Sequence, residues 1–269
     1  MQAPTITVNG QACENITVLD RGLLYGDGLF ETMAVRHGSI RFLEDHLHRL
    51  QTGCQVLGLT DLDLDTLKKE VAQIISTDKE CIIKVIITRG TGDRGYRPVH
   101  QALTRIVQKF PWPVFPQAYQ DPGIDITLCK FRLSHQPRLA QIKHLNRLEQ
   151  VLARSEWEDE FQEGLVCDMQ DHVIEATASN VFFEANGGLV TPDLSQCGVA
   201  GVLRGQVIRY CQRHNVELSV RAVSLGEAEE MDAMFVCNCI IGIWPVKRFD
   251  SLQFSRSELT GRLMSVFNH

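Results

Sequence analysis

The sequence predicts an α+β fold divided into two domains. Two observations carry this. Strands rich in β-branched residues cluster beside amphipathic helices in both halves, and a proline-rich break separates the halves. In the break, Pro111-Trp112-Pro113-Val114-Phe115-Pro116 and then Asp121-Pro122-Gly123 can continue neither a helix nor a central strand, because proline lacks an amide donor and fixes φ. The expected layout is a smaller N-terminal α/β domain over 1–110, an interdomain linker over 111–123 and a larger C-terminal domain over 124–269. The cleft between domains is the default place for a ligand.

In the first half, Ile6–Val8 and Ile16–Val18 flank Asn9-Gly10, a strong hairpin signal. Leu29–Val35 and Ile40–Phe42 flank His37-Gly38 as a second hairpin. Leu43–Leu57 reads as an amphipathic helix, with Leu43, Leu47, Leu50, Cys54 and Leu57 near helical spacing, and Leu64–Ile75 as another. Cys81–Thr88 and Leu103–Phe110 are β-branched strands joined by a polar loop, Arg89–His100.

Beyond the break, strands are expected at Ile124–Cys129, Glu163–Asp168, His172–Ala176, Val181–Glu184, Leu189–Val190, Val216–Val223, Met234–Cys239 and Ile243–Val246. Helices are expected from Asn146 to about Trp157, at Val202–Arg213 and Leu225–Met231, and at the end of the chain.

A net charge of −6 argues against a general nucleic-acid binder, while leaving room for a local basic pocket. No apolar run approaches the roughly 20 residues of a membrane span, and the N-terminus does not read as a signal peptide. Nine cysteines without framework spacing suit a reducing compartment, so the expected location is the cytoplasm. His46 and His48 stand two apart on a helix and face different ways, so no metal site is expected.

Two stretches carry candidate chemistry. In Leu139-Ala140-Gln141-Ile142-Lys143-His144-Leu145-Asn146-Arg147-Leu148-Glu149, a lysine sits among apolar residues ahead of a helix start. Asn146 and Glu149 have capping-box spacing, and Leu148, Val151 and Leu152 give the helix an apolar stripe. The helix dipole and apolar surroundings would both disfavour the ammonium form of Lys143, which is what a Schiff-base lysine requires. The same residues also describe a solvated lysine before a helix.

In the second stretch, Glu175-Ala176-Thr177-Ala178-Ser179-Asn180-Val181-Phe182 is followed by Thr191 and Gly198-Val199-Ala200-Gly201-Val202-Leu203-Arg204. It places a carboxylate at a strand end and a glycine-rich turn before a helix, whose amides can meet a phosphate. It equally describes a glutamate ending an edge strand, with an ordinary loop after it.

Taken together, Glu-x-Thr-x-x-Asn-Val-Phe from Glu175, Leu189-x-Thr191 and Val199-x-Gly201-Val202-x-Arg204 resemble the signature of the fold-type IV pyridoxal-phosphate family. That family, D-amino acid aminotransferase-like in fold, includes branched-chain and D-amino acid aminotransferases and aminodeoxychorismate lyases. His46-Leu47-His48-Arg49-Leu50, Asp20-Arg21-Gly22 and Gly26-Asp27-Gly28-Leu29-Phe30-Glu31 match its other motifs, so the resemblance runs from about Asn9 to Val246.

The resemblance implies pyridoxal 5′-phosphate as cofactor, with Lys143, in the C-terminal domain, as the lysine bonded to it. Glu175 would face the pyridine nitrogen, Arg49 would pair with the phosphate, and Val202 and Leu203 would offer it backbone amides. Ser179, Asn180, Asn238 and Cys239 fall where the family lines the cofactor pocket. Several members carry a threonine near the position of Cys239, from which this chain departs.

Within the family, Thr88-Arg89-Gly90-Thr91-Gly92-Asp93-Arg94-Gly95-Tyr96-Arg97-Pro98 resembles the Arg-Gly-x-Gly-x-Arg-Gly-Tyr loop of the lyases. D-amino acid aminotransferases place an arginine and a histidine at the positions of Arg94 and Tyr96. The resemblance implies a homodimer in which loop 89–100 reaches the partner's site. Tyr25, Phe30, Arg94, Tyr96 and Arg97 would contact the substrate, the arginines suiting its two carboxylates. The implied reaction converts 4-amino-4-deoxychorismate to 4-aminobenzoate and pyruvate, for folate synthesis. The alternatives are a fold-type IV aminotransferase acting on a D-amino or branched-chain amino acid, and a non-catalytic binder of a phosphorylated ligand. Some lyases carry a hydroxyl residue in the stretch occupied here by Gly22-Leu23-Leu24-Tyr25, which has no threonine.

Overall fold

The computed structural model describes residues 5–75, 79–98 and 102–268. The contacts of the chain divide it into two units, Met1–Pro113 with Ile142–Asn146, and Val114–Gln141 with Arg147–His269. Lys143, which chain order puts beyond the proline-rich break, thus belongs by its contacts to the first unit.

The first unit is built on a six-stranded antiparallel sheet of order β2-β1-β6-β5-β3-β4. Its elements in chain order are β1 (Thr5–Val8), β2 (Gln11–Ala12), α1 (Arg21–Tyr25), β3 (Gly28–Arg36), β4 (Ser39–Ile40), α2 (Leu43–Leu57), α3 (Leu64–Ile75), β5 (Glu80–Thr88) and β6 (Thr104–Pro111). Both predicted helices have the predicted bounds. The first hairpin differs: with Asn9 and Gly10 both at positive φ, the chain reverses at once and Val8 faces Gln11. Ile16–Val18 is therefore no strand, and Val18 is 73% exposed. Ser39–Ile40 is likewise shorter than predicted.

Alternation along β3 and β5 sorts their side chains by face. Leu29, Glu31 and Met33 pair with Ile87, Val85 and Ile83 and turn toward the helical side, where α2 lies on β3 and α3 on β6. Phe30 and Thr32 pair with Ile86 and Lys84 on the other face.

The second unit carries a mixed nine-stranded sheet of order β12-β11-β10-β13-β14-β7-β8-β9, with β15 on β14. Its elements are β7 (Ile124–Leu133), α4 (Leu148–Arg154), β8 (Glu163–Asp168), β9 (Val173–Ala176), β10 (Asn180–Ala185), β11 (Gly188–Pro192), α5 (Val202–Arg213), β12 (Leu218–Arg221), α6 (Leu225–Glu229), β13 (Ala233–Asn238), β14 (Gly242–Phe249), β15 (Leu252–Gln253) and α7 (Glu258–Phe267). Phe183, Val181, Val236 and Leu165 are fully buried in its core. In the proline-rich run, Phe115 and Tyr119 each lie 4.9 Å edge-on to Trp244, so that part packs as core rather than as free tether.

The predicted capping box does not form. Arg147 is the N-cap of α4 and makes no side-chain cap bond. Asn146 instead donates through Nδ2 to the Gly26 carbonyl at 3.1 Å, and Glu149 accepts the Ser134 amide at 2.9 Å. Both side chains are thus used in tertiary contacts. The helix is only 7 residues long, and its apolar stripe faces solvent: Leu148, Val151 and Leu152 are 75%, 59% and 51% exposed.

Among the described residues, no helix is long and apolar enough to cross a membrane.

Candidate functional site

In the first unit, Lys143 is anchored to β3 by its backbone. Phe30 N–H donates to the Lys143 carbonyl at 2.9 Å, and Leu145 N–H donates to the Gly28 carbonyl at 3.0 Å. A one-residue antiparallel bridge joins Leu29 to His144. This ladder brings Lys143 Nζ to 4.5 Å from the centre of the half-buried Phe30 ring, and Lys84 Nζ lies 5.4 Å from the same centre. The aromatic face attracts both ammonium groups and holds Lys143 near the sheet.

Arg49 projects from α2 onto Glu31 of β3. Its Nε and Nη2 meet Glu31 Oε1 and Oε2 at 2.7 and 2.5 Å. His46, one helical turn earlier, adds Nδ1 to Glu31 Oε2 at 2.6 Å. Burial of Glu31 pushes its carboxyl up, but Arg49 and His46 outweigh that and hold it down at about 2. The position of Glu31 carried no such signal in the sequence, since pairing across β3 and α2 is long-range.

The N-terminal motif is a clamp for the loop after β5. Asp20 accepts the Gly22 amide at 2.8 Å through Oδ1, capping α1, and accepts the Thr88 and Thr104 hydroxyls at 2.9 and 2.8 Å through Oδ2. Asp27 accepts Arg21 Nε at 2.9 Å and Arg89 Nε at 2.7 Å. Burial raises the Asp27 carboxyl, yet the two guanidinium groups leave it below its ordinary range. Arg21 also donates to the Gly95 carbonyl at 2.9 Å, and Gly95 N–H donates to the Tyr25 hydroxyl at 3.0 Å. The Tyr25 and Tyr96 rings meet edge-on at 5.5 Å. The base of the loop is therefore tied down, while Arg94, Tyr96 and Arg97 are exposed, Tyr96 by 86%. Residues 99 and 100 of the predicted loop lie outside the described residues.

The second unit brings together Glu175, Asn180, Val202 and Leu203. Glu175 is buried at 5% exposure; its Oε2 accepts the Val199 amide at 2.8 Å, and Gln150 Nε2 stands 3.4 Å from Oε1. Asn180 bridges the turn before α5, donating to the Val199 carbonyl at 2.8 Å and accepting the Gly201 amide at 3.1 Å. A Cβ on Gly201 would run into Asn180 Oδ1. Gly201 is the N-cap of α5 and no side chain caps it, so the Val202 and Leu203 amides open the helix at its positive end. Arg204, buried behind them, donates to Thr191 Oγ1 at 3.2 Å and the Pro192 carbonyl at 2.9 Å; burial lowers its pKa.

A neighbouring network holds the remaining predicted residues. Ser179 Oγ donates to Glu163 Oε1 at 2.8 Å, Thr177 Oγ1 donates to Oε2 at 2.6 Å, and Asn238 Nδ2 donates to Ser179 Oγ at 3.1 Å. Burial raises the Glu163 carboxyl despite these donors. Glu163 was not anticipated from sequence, where it is one more glutamate opening a strand. Cys239 is half-buried in the turn after β13.

Chemically, one unit offers an amine beside an aromatic face and a tightly held guanidinium. The other offers a buried carboxylate and an uncapped helix start. A profile of the family described as amino-transferase class IV matches residues 28–249. The aminodeoxychorismate lyase of Vibrio harveyi is 32% identical over 97% of this chain and 98% of its own. Among solved structures, the 4-amino-4-deoxychorismate lyase of Pseudomonas aeruginosa superposes with a TM-score of 0.94 at 42% identity, covering 97% of each chain. The branched-chain amino acid aminotransferase of Escherichia coli shares the fold, with a TM-score of 0.87 at 21% identity over 98% of this chain and 93% of its own.

Proposed function

The chain belongs to the amino-transferase class IV family, and on that premise we propose that it is a lyase converting 4-amino-4-deoxychorismate to 4-aminobenzoate and pyruvate. The observation that carries this reading is likeness to two lyases along almost the whole chain, at 32% and 42% identity. The Arg94-Gly95-Tyr96 loop agrees with it.

The cofactor we propose is pyridoxal 5′-phosphate, and the residues present fit it. The start of α5 offers amides that the N-cap Gly201 cannot cap with a side chain, and Gly201 leaves room for Asn180 to brace the turn before them. Glu175 is a buried carboxylate already oriented by the Val199 amide. Lys143 would bond to the aldehyde, Glu175 would keep the ring nitrogen protonated, and Arg49 with the Val202 and Leu203 amides would hold the phosphate. Ser179, Asn180, Asn238 and Cys239 would shape the pocket around it. When bound, the cofactor supplies an electron sink conjugated with the amine-bearing carbon of the substrate.

The work of the chain's own residues is proton transfer and orientation. As a free amine, Lys143 would remove the proton from the amine-bearing ring carbon of the substrate. The enolpyruvyl group leaves from the neighbouring carbon as the ring becomes aromatic, and Lys143 returns a proton to yield pyruvate. Phe30 keeps the amine beside the sheet through both transfers. Tyr25 would flank the substrate, and no threonine stands in the stretch before Gly26 to share the proton work.

We further propose a homodimer in which Arg94, Tyr96 and Arg97 bind the substrate of the partner subunit, supported by their exposure on a loop whose base is clamped. All nine cysteines are free thiols, which supports the proposed cytoplasmic location, and the 4-aminobenzoate formed by the proposed reaction would serve folate synthesis.

The test supplies aminodeoxychorismate to the purified holoenzyme with no 2-oxo acid. Equal release of pyruvate and 4-aminobenzoate is expected. Turnover that begins only when a 2-oxo acid acceptor is added would instead identify an aminotransferase.

A further inference from the structure

Glu31 itself has no task in the proposed reaction, yet it is among the most heavily engaged side chains of the first unit. It is 2% exposed, in the middle of an apolar face formed by Leu29, Met33 and Val85. A carboxylate in that position is costly unless it is fully paired. Three contacts pair it: Arg49 Nε and Nη2 at 2.7 and 2.5 Å, and His46 Nδ1 at 2.6 Å.

The geometry of these contacts is directional. His46 and Arg49 stand three apart on α2, on one side of the helix, and both converge on a single carboxylate. Glu31 takes the Nε–Nη2 edge of the guanidinium in the bidentate manner, which fixes the plane of the group as well as its position. An arginine on a helix otherwise spreads over many rotamers, and holding one of them has to be done by a partner. The third contact, from His46 Nδ1, restrains the Glu31 carboxylate itself and so limits where the paired guanidinium can swing.

We propose that Glu31, restrained by His46, is a positioning residue that aims the Arg49 guanidinium at the phosphate of the cofactor. This rests on the reading of Arg49 as a phosphate ligand given above. In this role Glu31 touches neither substrate nor cofactor. Its effect passes through Arg49 and is confined to ligands that carry a phosphate.

The experiment titrates the full chain with pyridoxal 5′-phosphate and, separately, with pyridoxal, which lacks the phosphate. It compares wild type with Glu31→Gln, Glu31→Asp, His46→Gln and Arg49→Lys, and thermal melts verify that each variant is folded. Glu31→Gln and Glu31→Asp should weaken binding of the phosphorylated ligand about tenfold, the equivalent of one charge-assisted contact, and pyridoxal binding less than about twofold. His46→Gln, which leaves the Glu31–Arg49 pair in place, should show a smaller loss in the same direction and serves if the Glu31 variants do not fold. An equal loss for both ligands, or none, while Arg49→Lys keeps a phosphate-specific defect, overturns the positioning role. If Arg49→Lys itself shows no phosphate-specific defect, the assignment of Arg49 fails first and the proposal falls with it.

Discussion

Lys143 and Phe30 are joined twice: by a 2.9 Å hydrogen bond from the Phe30 amide to the Lys143 carbonyl, and by the 4.5 Å approach of Nζ to the centre of the Phe30 ring. The backbone bond sets where the lysine leaves the chain, and the ring limits where its amine can go. Phe30→Leu keeps the first and removes the second. A cation–π contact is worth ~0.5–2 kcal/mol, so kcat should fall by roughly 3- to 30-fold with little change in folding stability. Lys143→Ala should abolish turnover, and borohydride treatment of that variant should leave no reduced cofactor on the chain. Full activity in Lys143→Ala would exclude the proposed mechanism.

Glu175→Gln keeps an acceptor for the Val199 amide but removes the charge. Turnover should drop on the order of 10²-fold or more, the scale of a lost proton-transfer contribution, while the melting temperature stays nearly constant. Steady-state kinetics alongside a thermal melt separates the two effects.

Gly201→Ala tests the opening of α5. Its Cβ would displace the Asn180 amide, which is held by the Val199 carbonyl and the Gly201 amide. Overpacking of this kind costs ~1–3 kcal/mol, and affinity for the phosphorylated cofactor should fall by roughly 5- to 150-fold. Unchanged affinity, measured by equilibrium dialysis, would remove this helix start from the site.

The Glu31 carboxyl titrates at about 2 in the folded chain against an ordinary 4.5. Its pKa is depressed by folding, so its stabilisation is complete above about pH 4.5 and is lost as the pH falls toward 2. The gap corresponds to ~3 kcal/mol for this fully buried group. Urea titrations should therefore show wild type losing more stability than Glu31→Gln between pH 5 and about pH 2.5. Parallel curves for the two proteins would contradict the strength of the pairing.

Arg94→Ala changes an exposed loop residue, and its effect on stability should stay within ~0.5 kcal/mol. KM for aminodeoxychorismate should rise about tenfold, as expected for a lost charged contact to a carboxylate. If KM and kcat are both unchanged, the loop does not recognise the substrate.

Much of this protein was legible in the order of its residues because local signals agreed with the fold. The bounds of α2, α3, α5 and β8 follow from periodicity and breakers alone. The motifs around Lys143, Glu175 and Gly201 are contiguous runs, so their resemblance to the family could be read from the sequence, and it is that resemblance that implies a cofactor. Three expectations failed where another structural choice overrode the local pattern. Asn146 and Glu149 had the spacing of a cap, but the Gly26 carbonyl and the Ser134 amide engaged them first. Leu148, Val151 and Leu152 had the spacing of a buried stripe, yet they face outward. Ile16–Val18 had the composition of a strand, but the two-residue turn at Asn9-Gly10 had already chosen Gln11 as the partner of Val8.

From the residue order alone came most of the elements and the family motifs, each written in a stretch short enough for backbone periodicity or fixed spacing to express, and the resemblance carried by those motifs proposes Lys143 as the reactive amine. Only the tertiary structure decided which carboxylate holds Arg49, which ring lies beside Lys143, and that Asp20 staples α1 to Thr88 and Thr104. Those pairings join residues 18 to 113 positions apart, and their energy exists only once the sheet register has placed both partners.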